Sequence, residues 1–278
     1  MIRIFLFGRV GHQLFQYAVG RHLAIKNNTS LLLYPSEGPE SNGIQKNILD
    51  RFNIKAKYVN THWSKFIKET GIWKVTHKNI YWESGHQFEP EVLECKGKYT
   101  LRGNFQSDKY FKDIAQQLRG ELVINDISES GELKVLLDQI RNTNSVSINV
   151  RRGDYIGLKK YEVTNLQYYA NAIKYIKSKI QNPSFFVFSD DINWCKENLK
   201  GEGFIFSDLN KNEYDPLNDM YLMQHCLHNI ITNSTYSWWS AWLNNNPKKL
   251  VLTPYKWFNA ANVPLEDKIC EDWVPIAF

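Results

Sequence analysis

The sequence predicts an α/β architecture built on parallel sheet and divided into two domains. Three observations lead there. In the C-terminal half, short apolar runs alternate with segments of helical length and period. The chain opens with a strand, a glycine-bearing loop, a helix and a second strand. Its 278 residues suit two domains of roughly 140 residues each, although one large α/β unit is also within range.

In order, Ile2–Phe7 reads as a strand and Gly8–Gly11 as a turn. His12–Lys26 reads as a helix with Phe15, Ala18, Val19, His22 and Ile25 near one face, and Leu31–Tyr34 as a strand. The stretch from Pro35 to about Ile140 is less regular. Leu118–Leu122 and Glu132–Arg141 look helical within it. Polar Asn142–Ser145 breaks the pattern, which puts the domain boundary between residues 143 and 144. Beyond it, strands are expected at Val146–Val150, Phe185–Phe188, Phe204–Phe206, Asn229–Thr232 and Leu250–Thr253. Helices are expected at Leu166–Ile180, Asp191–Leu199, Asp219–Cys226 and Ser237–Asn244. Such alternation requires right-handed crossovers between parallel strands.

Composition narrows the function. Hydrophobic residues make up 43% of the chain, enough for a core, and 23% are charged, which excludes a disordered polyelectrolyte. Basic and acidic residues are interspersed and net only +5, so no nucleic-acid footprint is expected. An anionic small ligand or loose membrane contact fits the mild surplus. The four cysteines form no CxxC pair, which favours free thiols in a reducing compartment. Met1–Phe7 is too short for the apolar region of a signal peptide, and no run approaches the roughly 20 residues that span a bilayer. These features lead to the expectation of a soluble, cytoplasmic chain.

Four segments carry candidate chemistry. In Val146–Tyr155 a strand ends directly in Arg151, Arg152, Gly153 and Asp154. Two adjacent guanidiniums there suit the oxygens of a phosphate, the alternative being a solvated turn with an Arg–Asp pair. Arg152-Gly153-Asp154 also matches the integrin-recognition tripeptide, which would need an extracellular loop. After Phe185–Phe188, Asp190 and Asp191 are placed to bind a ribose or base edge, or to cap the next helix. Asn229–Leu243 runs from a strand through a hydroxyl-rich loop into a helix; Ser234 and Thr235 could cradle phosphate, or cap, with the tryptophans as core. In Gly8–Gln13, His12 beside Arg9 at a helix start should be neutral, as a base needs; a packed histidine is the other reading. No Asp-x-Asp, P-loop or Gly-x-Ser-x-Gly occurs, and His225 and His228 lack acidic or cysteine partners, so no metal site is expected.

Together the segments resemble one family, the α-1,2-fucosyltransferases of glycosyltransferase family 11. Gly8–Ala18 (GRVGHQLFQYA) is similar to its N-terminal motif and Leu101–Phe111 (LRGNFQSDKYF) to its middle motif. Ser147–Tyr155 resembles its H-x-R-R-x-D-Y segment, and Phe188–Asp191 and Asn229–Leu243 complete the set in order. The resemblance implies a GT-B-like architecture, two Rossmann-like domains facing a central cleft, with an acceptor-side domain at 1–143 and the GDP-fucose-binding domain at 144–278. It implies inverting, metal-independent transfer of fucose from GDP-β-L-fucose to the 2-hydroxyl of a terminal β-galactoside, with no further cofactor. Bacterial relatives commonly build O-antigen-type glycans at the cytoplasmic side, so peripheral contact with the inner membrane through a lipid-linked acceptor is a further implication.

By the same resemblance Arg151 stabilises the departing β-phosphate. Arg152 supports the diphosphate or orients Asp154, and Ser234 and Thr235 hold phosphates. Asp190 reads guanine or ribose, while Arg9 and Gly11 close over the donor. Asp154 and His12 are the candidates for general base. Two positions depart from the family: His12 stands where Asn is usual, and Asn149 where His is usual. The changes look reciprocal, as if the two share one role across the cleft; independent drift is the alternative. Another nucleotide-sugar transferase, or a non-catalytic lectin, remains open. Trp63, Trp73 and Trp82 could stack on sugar rings or fill the core.

Overall fold

The computed structural model describes residues 1–34, 48–59, 79–209, 215–259 and 263–278. Trp63 and Trp73 lie outside them. The chain forms two compact units, Met1–Asn125 and Asp126–Phe278.

The first unit contains β1 (Ile2–Phe5), α1 (Val10–Lys26), β2 (Leu31–Tyr34), β3 (Lys57–Tyr58), β4 (Ile80–Trp82), β5 (Tyr99–Arg102) and α2 (Ala115–Glu121). The strands run in the order β3-β2-β1-β5-β4 with every pairing parallel. Ile2, Ile4, Leu31, Leu33 and Leu101 are buried along it. The expected single apolar face of α1 understates its burial, since thirteen of its residues are buried. One cause is Gly20: a Cβ there would meet Leu31 Cδ1 at 2.9 Å, so glycine lets the helix lie close to β2. Tyr17 and Arg21 of α1 both bind Glu121 of α2, the guanidinium at 2.8 Å.

The second unit begins with α3 (Gly131–Arg141), β6 (Asn144–Val150), α4 (Leu166–Lys179), β7 (Pro183–Ser189), α5 (Ile192–Asn198) and β8 (Phe204–Phe206). It ends with α6 (Pro216–His225), β9 (His228–Ile230), α7 (Thr235–Leu243), β10 (Val251–Pro254) and β11 (Val274–Ile276). Its parallel sheet has the order β11-β10-β9-β6-β7-β8, the doubly wound arrangement in which the chain runs outward from β6, then returns to build the other side. Val146, Ile148, Val150, Phe185 and Val187 pack under α4. Phe186 and Phe188 face α3 and α6 on the opposite side.

That second packing corrects the boundary expected after Thr143. The polar residues around Asn144 do not form a linker; they begin β6. Leu133, Leu136, Leu137 and Ile140 of α3 are buried against Phe186, Leu222 and Met223, each contributing about 1.5–3 kcal/mol. The helix therefore belongs to the second unit. Trp238, Trp239 and Trp242 of α7 cluster with Trp273, as a core rather than a binding wall. Cys95, Cys195, Cys226 and Cys270 are buried free thiols. Among the described residues no helix is long and apolar enough to cross a membrane, and no group of three or more His, Cys, Asp or Glu is gathered as a metal would require.

Candidate functional site

Three neighbouring strands of the second unit, β9, β6 and β7, deliver the predicted polar residues at their carboxyl ends. The chain reverses direction of travel between β6 and β9, the position at which open α/β sheets bind ligands.

Beyond β6, Arg151 and Arg152 are held by different acids. Arg151 donates through Nε to Asp154 Oδ1 at 2.8 Å and pairs through Nη1 with Asp190 Oδ2 at 2.9 Å. Burial works against its charge, yet Asp190 and Asp154 hold its pKa above the ordinary value. Arg152 pairs with Asp191 at 3.1 Å and lies 3.9 Å above the Trp194 ring. The expected alignment of Arg152 with Asp154 is therefore replaced: Asp154 serves Arg151, and Arg152 is anchored on α5.

Asp190 also accepts the backbone amides of Arg152 at 2.9 Å and Gly153 at 3.1 Å, so both its oxygens are engaged with the arginine turn. It is a buckle here rather than an acid turned outward for a ribose. Gly153 makes that approach possible, since a Cβ there would lie 2.8 Å from Asp190 Oδ2. The neighbouring acid does the capping, Asp191 accepting Trp194 N at 3.2 Å. One aspartate thus holds the turn while the other starts the helix.

Beyond β9, Ser234 caps α7 by accepting Tyr236 N at 3.3 Å, and Thr235 is the first helical residue. Asn233 donates to the carbonyls of Tyr161 and Trp257, at 3.1 and 2.9 Å, while its buried Oδ1 has no partner. Asn149 is buried at the end of β6, accepting Thr232 Oγ1 at 3.3 Å and donating to the Phe188 carbonyl at 3.4 Å. Tyr155 touches the same loop and has its pKa pushed up to about 12, first by burial.

In the first unit, the loop after β1 has Gly8 at φ +74, where only glycine is comfortable, and a Cβ there would meet the His12 ring at 3.1 Å. Arg9 is the N-cap of α1 and its carbonyl accepts His12 N; Gly11 is buried in the first turn. Gln13 donates to the Gly8 carbonyl at 2.9 Å, and Gln16 accepts Phe7 N at 3.1 Å. His12 has its pKa lowered to about 4, by burial first and then by the Arg9 charge. It is neutral at neutral pH, as the sequence suggests.

The chain matches Glycosyl transferase family 11 over residues 2–277. It belongs to that family. An α-1,2-colitosyltransferase of Escherichia coli is 33% identical to it over 98% of this chain and 97% of the relative. The O-antigen biosynthesis glycosyltransferase WbnK of Escherichia coli is 31% identical over 92% and 95%. The fucosyltransferase NodZ from Bradyrhizobium superposes with a TM-score of 0.52 at 12% identity, covering 86% of this chain and 92% of NodZ, a likeness of fold. The family 11 chain is thus a glycosyltransferase of GT-B architecture, with two parallel-sheet α/β units.

Of the predicted residues in this family 11 chain, the second unit gathers Asn149, Arg151, Arg152, Asp154, Asp190, Ser234 and Thr235 at one sheet edge. Arg9, Gly11 and His12 share the corresponding edge of the first. Sequence reading missed Trp194, the aromatic floor under Arg152, which falls in a helix of ordinary composition. It also missed Glu83, whose carboxylate accepts Asn104 N at 2.6 Å and Phe105 N at 3.0 Å. Only its distance from the middle motif hid it.

Proposed function

We propose that the chain is an inverting, metal-independent fucosyltransferase, moving L-fucose from GDP-β-L-fucose to the 2-hydroxyl of a terminal β-galactoside in an O-antigen-type glycan. The observation that carries this reading is the pair of immobilised guanidiniums at the switch point of a doubly wound sheet, beside the serine-capped start of α7. A neutral-sugar lectin has no use for such a cradle.

In the reaction the donor C1–O bond breaks and its electron pair leaves on the β-phosphate of GDP. The acceptor O2 bonds to C1 from the opposite face, and its proton passes to a base or to solvent. Arg151 stabilises the charge growing on the leaving phosphate. The edge of Arg151 that would fork that phosphate is the one Asp154 now holds. Asp154 side chain is 48% exposed, whereas Asp190 is pinned by two amides, so the incoming anion displaces Asp154. Asp154, displaced from its ion pair, and His12 are the two candidates for the base that takes this proton. Ser234, Thr235 and the first amides of α7 hold the remaining phosphate oxygens. Arg9 and Gly11 stand at the carboxyl edge of the first unit's own sheet, and the family resemblance assigns them to the donor. A lipid-linked acceptor would bring the enzyme to the cytoplasmic face of the inner membrane.

One relative supports a second donor. Colitose is fucose without its 3-hydroxyl, and 33% identity to an α-1,2-colitosyltransferase favours the same linkage with either sugar. The test is transfer to lactose or N-acetyllactosamine in EDTA, comparing GDP-fucose, GDP-colitose and UDP-sugars, with the product linkage read by NMR. An α-1,2-fucosylated product, undiminished by EDTA, is expected. Transfer from a UDP-sugar alone, or glycan binding with no stabilisation by GDP, overturns the proposal.

A further inference from the structure

At the carboxyl edge of the first sheet, four side chains fall in one row. Phe5 is paired with Tyr34 and Trp82 with Arg102, and Ile4 with Leu101 one step back brings Phe5 beside Arg102. The Phe5 and Tyr34 rings stack at 4.8 Å. The Arg102 guanidinium lies 5.6 Å from the Phe5 ring and 4.8 Å from the Trp82 ring. Exposure rises along the row, from Tyr34 at 5% to Trp82 at 51%. A scattered exposed aliphatic residue needs no explanation. An indole under a guanidinium at the ligand-bearing edge of a parallel sheet does.

The row is also rigid. Glu83 donates its amide to the Arg102 carbonyl at 3.0 Å, while its carboxylate holds Asn104 N and Phe105 N. A Cβ on Gly103 would lie 2.4 Å from Glu83 Cβ, so the two strand ends close tightly there. Phe105 is kept at φ +51, a conformation that a bulky residue adopts only when its surroundings impose it. Gln16 donates to the Gly103 carbonyl at 3.3 Å while accepting Phe7 N, tying this edge to the Gly8 loop.

We propose that Trp82 and Arg102 form the platform for the acceptor sugar. A pyranose offers one face of C–H groups and a rim of hydroxyls. The indole face turned away from Arg102 takes the C–H groups, while the guanidinium stacked on its other face holds the ring in place. The row then grades from structural rings, Tyr34 and Phe5, through Arg102 to the exposed indole that touches ligand. This rests on the glycan-acceptor reading above and places the acceptor sugar at the carboxyl edge of the first sheet.

The test compares wild type with Trp82→Ala and Trp82→Phe. Trp82→Ala should raise the acceptor KM at least about tenfold, leaving the GDP-fucose KM and acceptor-free donor hydrolysis unchanged within about twofold. Trp82→Phe, which keeps a ring, should recover most of the loss. A fall in kcat with both KM values unchanged, or equal loss of GDP stabilisation, overturns the platform. Saturation-transfer NMR with lactose and N-acetyllactosamine, without donor, separates this inference from the donor assignment. Glycan signal lost in Trp82→Ala and kept in Trp82→Phe supports the platform even where GDP-fucose does not turn over. Equal signal in wild type and Trp82→Ala overturns it.

Discussion

The carboxyl edges of the two sheets are built from different chemistry. The Gly8 loop of the first unit is shaped by neutral amides, Gln13 on the Gly8 carbonyl and Gln16 on Phe7 N. The arginine turn of the second is shaped by ions, with Arg151 and Arg152 held by Asp154, Asp190 and Asp191. Neutral amides fix a backbone without adding net charge for an anion. A cluster of two guanidiniums and three carboxylates can hold its shape and still exchange one carboxylate for a phosphate. Two acids in that cluster also differ in kind: Asp190 accepts two backbone amides, while Asp154 accepts the Arg151 side chain.

The largest effect should come from removing the ion that Asp190 and Asp154 share. Arg151→Ala is expected to lower kcat by about 10²–10³-fold, and Arg151→Lys to recover little, because a point charge cannot replace the fork. Near-normal turnover in Arg151→Ala would show that leaving-group stabilisation lies elsewhere. Next comes Asp154→Asn, for which the two halves of the proposal pull apart. GDP should stabilise this variant more than wild type in a thermal-shift series, since a competing carboxylate is gone, while transfer slows by about 10²-fold if Asp154 is the base. Weaker GDP binding would instead make Asp154 part of the donor cradle. Gly153→Ala pushes on Asp190 from the other side. Its overpacking of about 1–3 kcal/mol should appear as roughly tenfold weaker GDP binding, at nearly unchanged acceptor KM.

The first unit should respond less. His12 has a folded pKa of about 4, below its unfolded value of 6.5, so the unfolded chain binds more protons between these limits. Its contribution to stability is therefore complete above pH 6.5 and lost as pH falls toward 4. The imidazole C2–H resonance should titrate near 4, and activity should show no histidine inflection from pH 5.5 to 8. An inflection near 6.5 that vanishes in His12→Asn would contradict this. The smallest effect is expected for the paired departures. Asn149 is already engaged with Thr232 and the Phe188 carbonyl. His12→Asn and Asn149→His should then combine additively, within about 0.5 kcal/mol in kcat/KM. Mutual rescue would instead establish a shared role.

Legibility followed the same division. In the second unit apolar strands alternate regularly with helices, and the expected elements from Val146 to Thr253 match those observed, with ends shifted by up to three residues. In the first, β3 and β4 have two and three residues, too short to show a period of two. β11 escaped for a related reason, having three residues with Pro275 at its centre. At the candidate site, residue types drew attention to the arginine turn, but the partners of those residues did not follow from sequence. Asp190 reaches backbone amides 37 and 38 positions away, and amides have no sequence signature. The Trp82 row is hidden likewise, because four residues spread from Phe5 to Arg102 meet only through strand register.

The position of β6 beside β9 has a consequence for synthesis. Val146 pairs with His228, so the strand that ends in the arginines waits for a partner about 80 residues downstream. At roughly 5–20 residues per second, the ribosome leaves that edge open for about 4–16 s. During this interval β6 and β7 can zip together, but the arginine turn has no α7 beside it. Nascent chains should therefore acquire GDP-dependent protease resistance only after β9 and α7 have left the exit tunnel, making the proposed donor cradle one of the last features of the enzyme to be born.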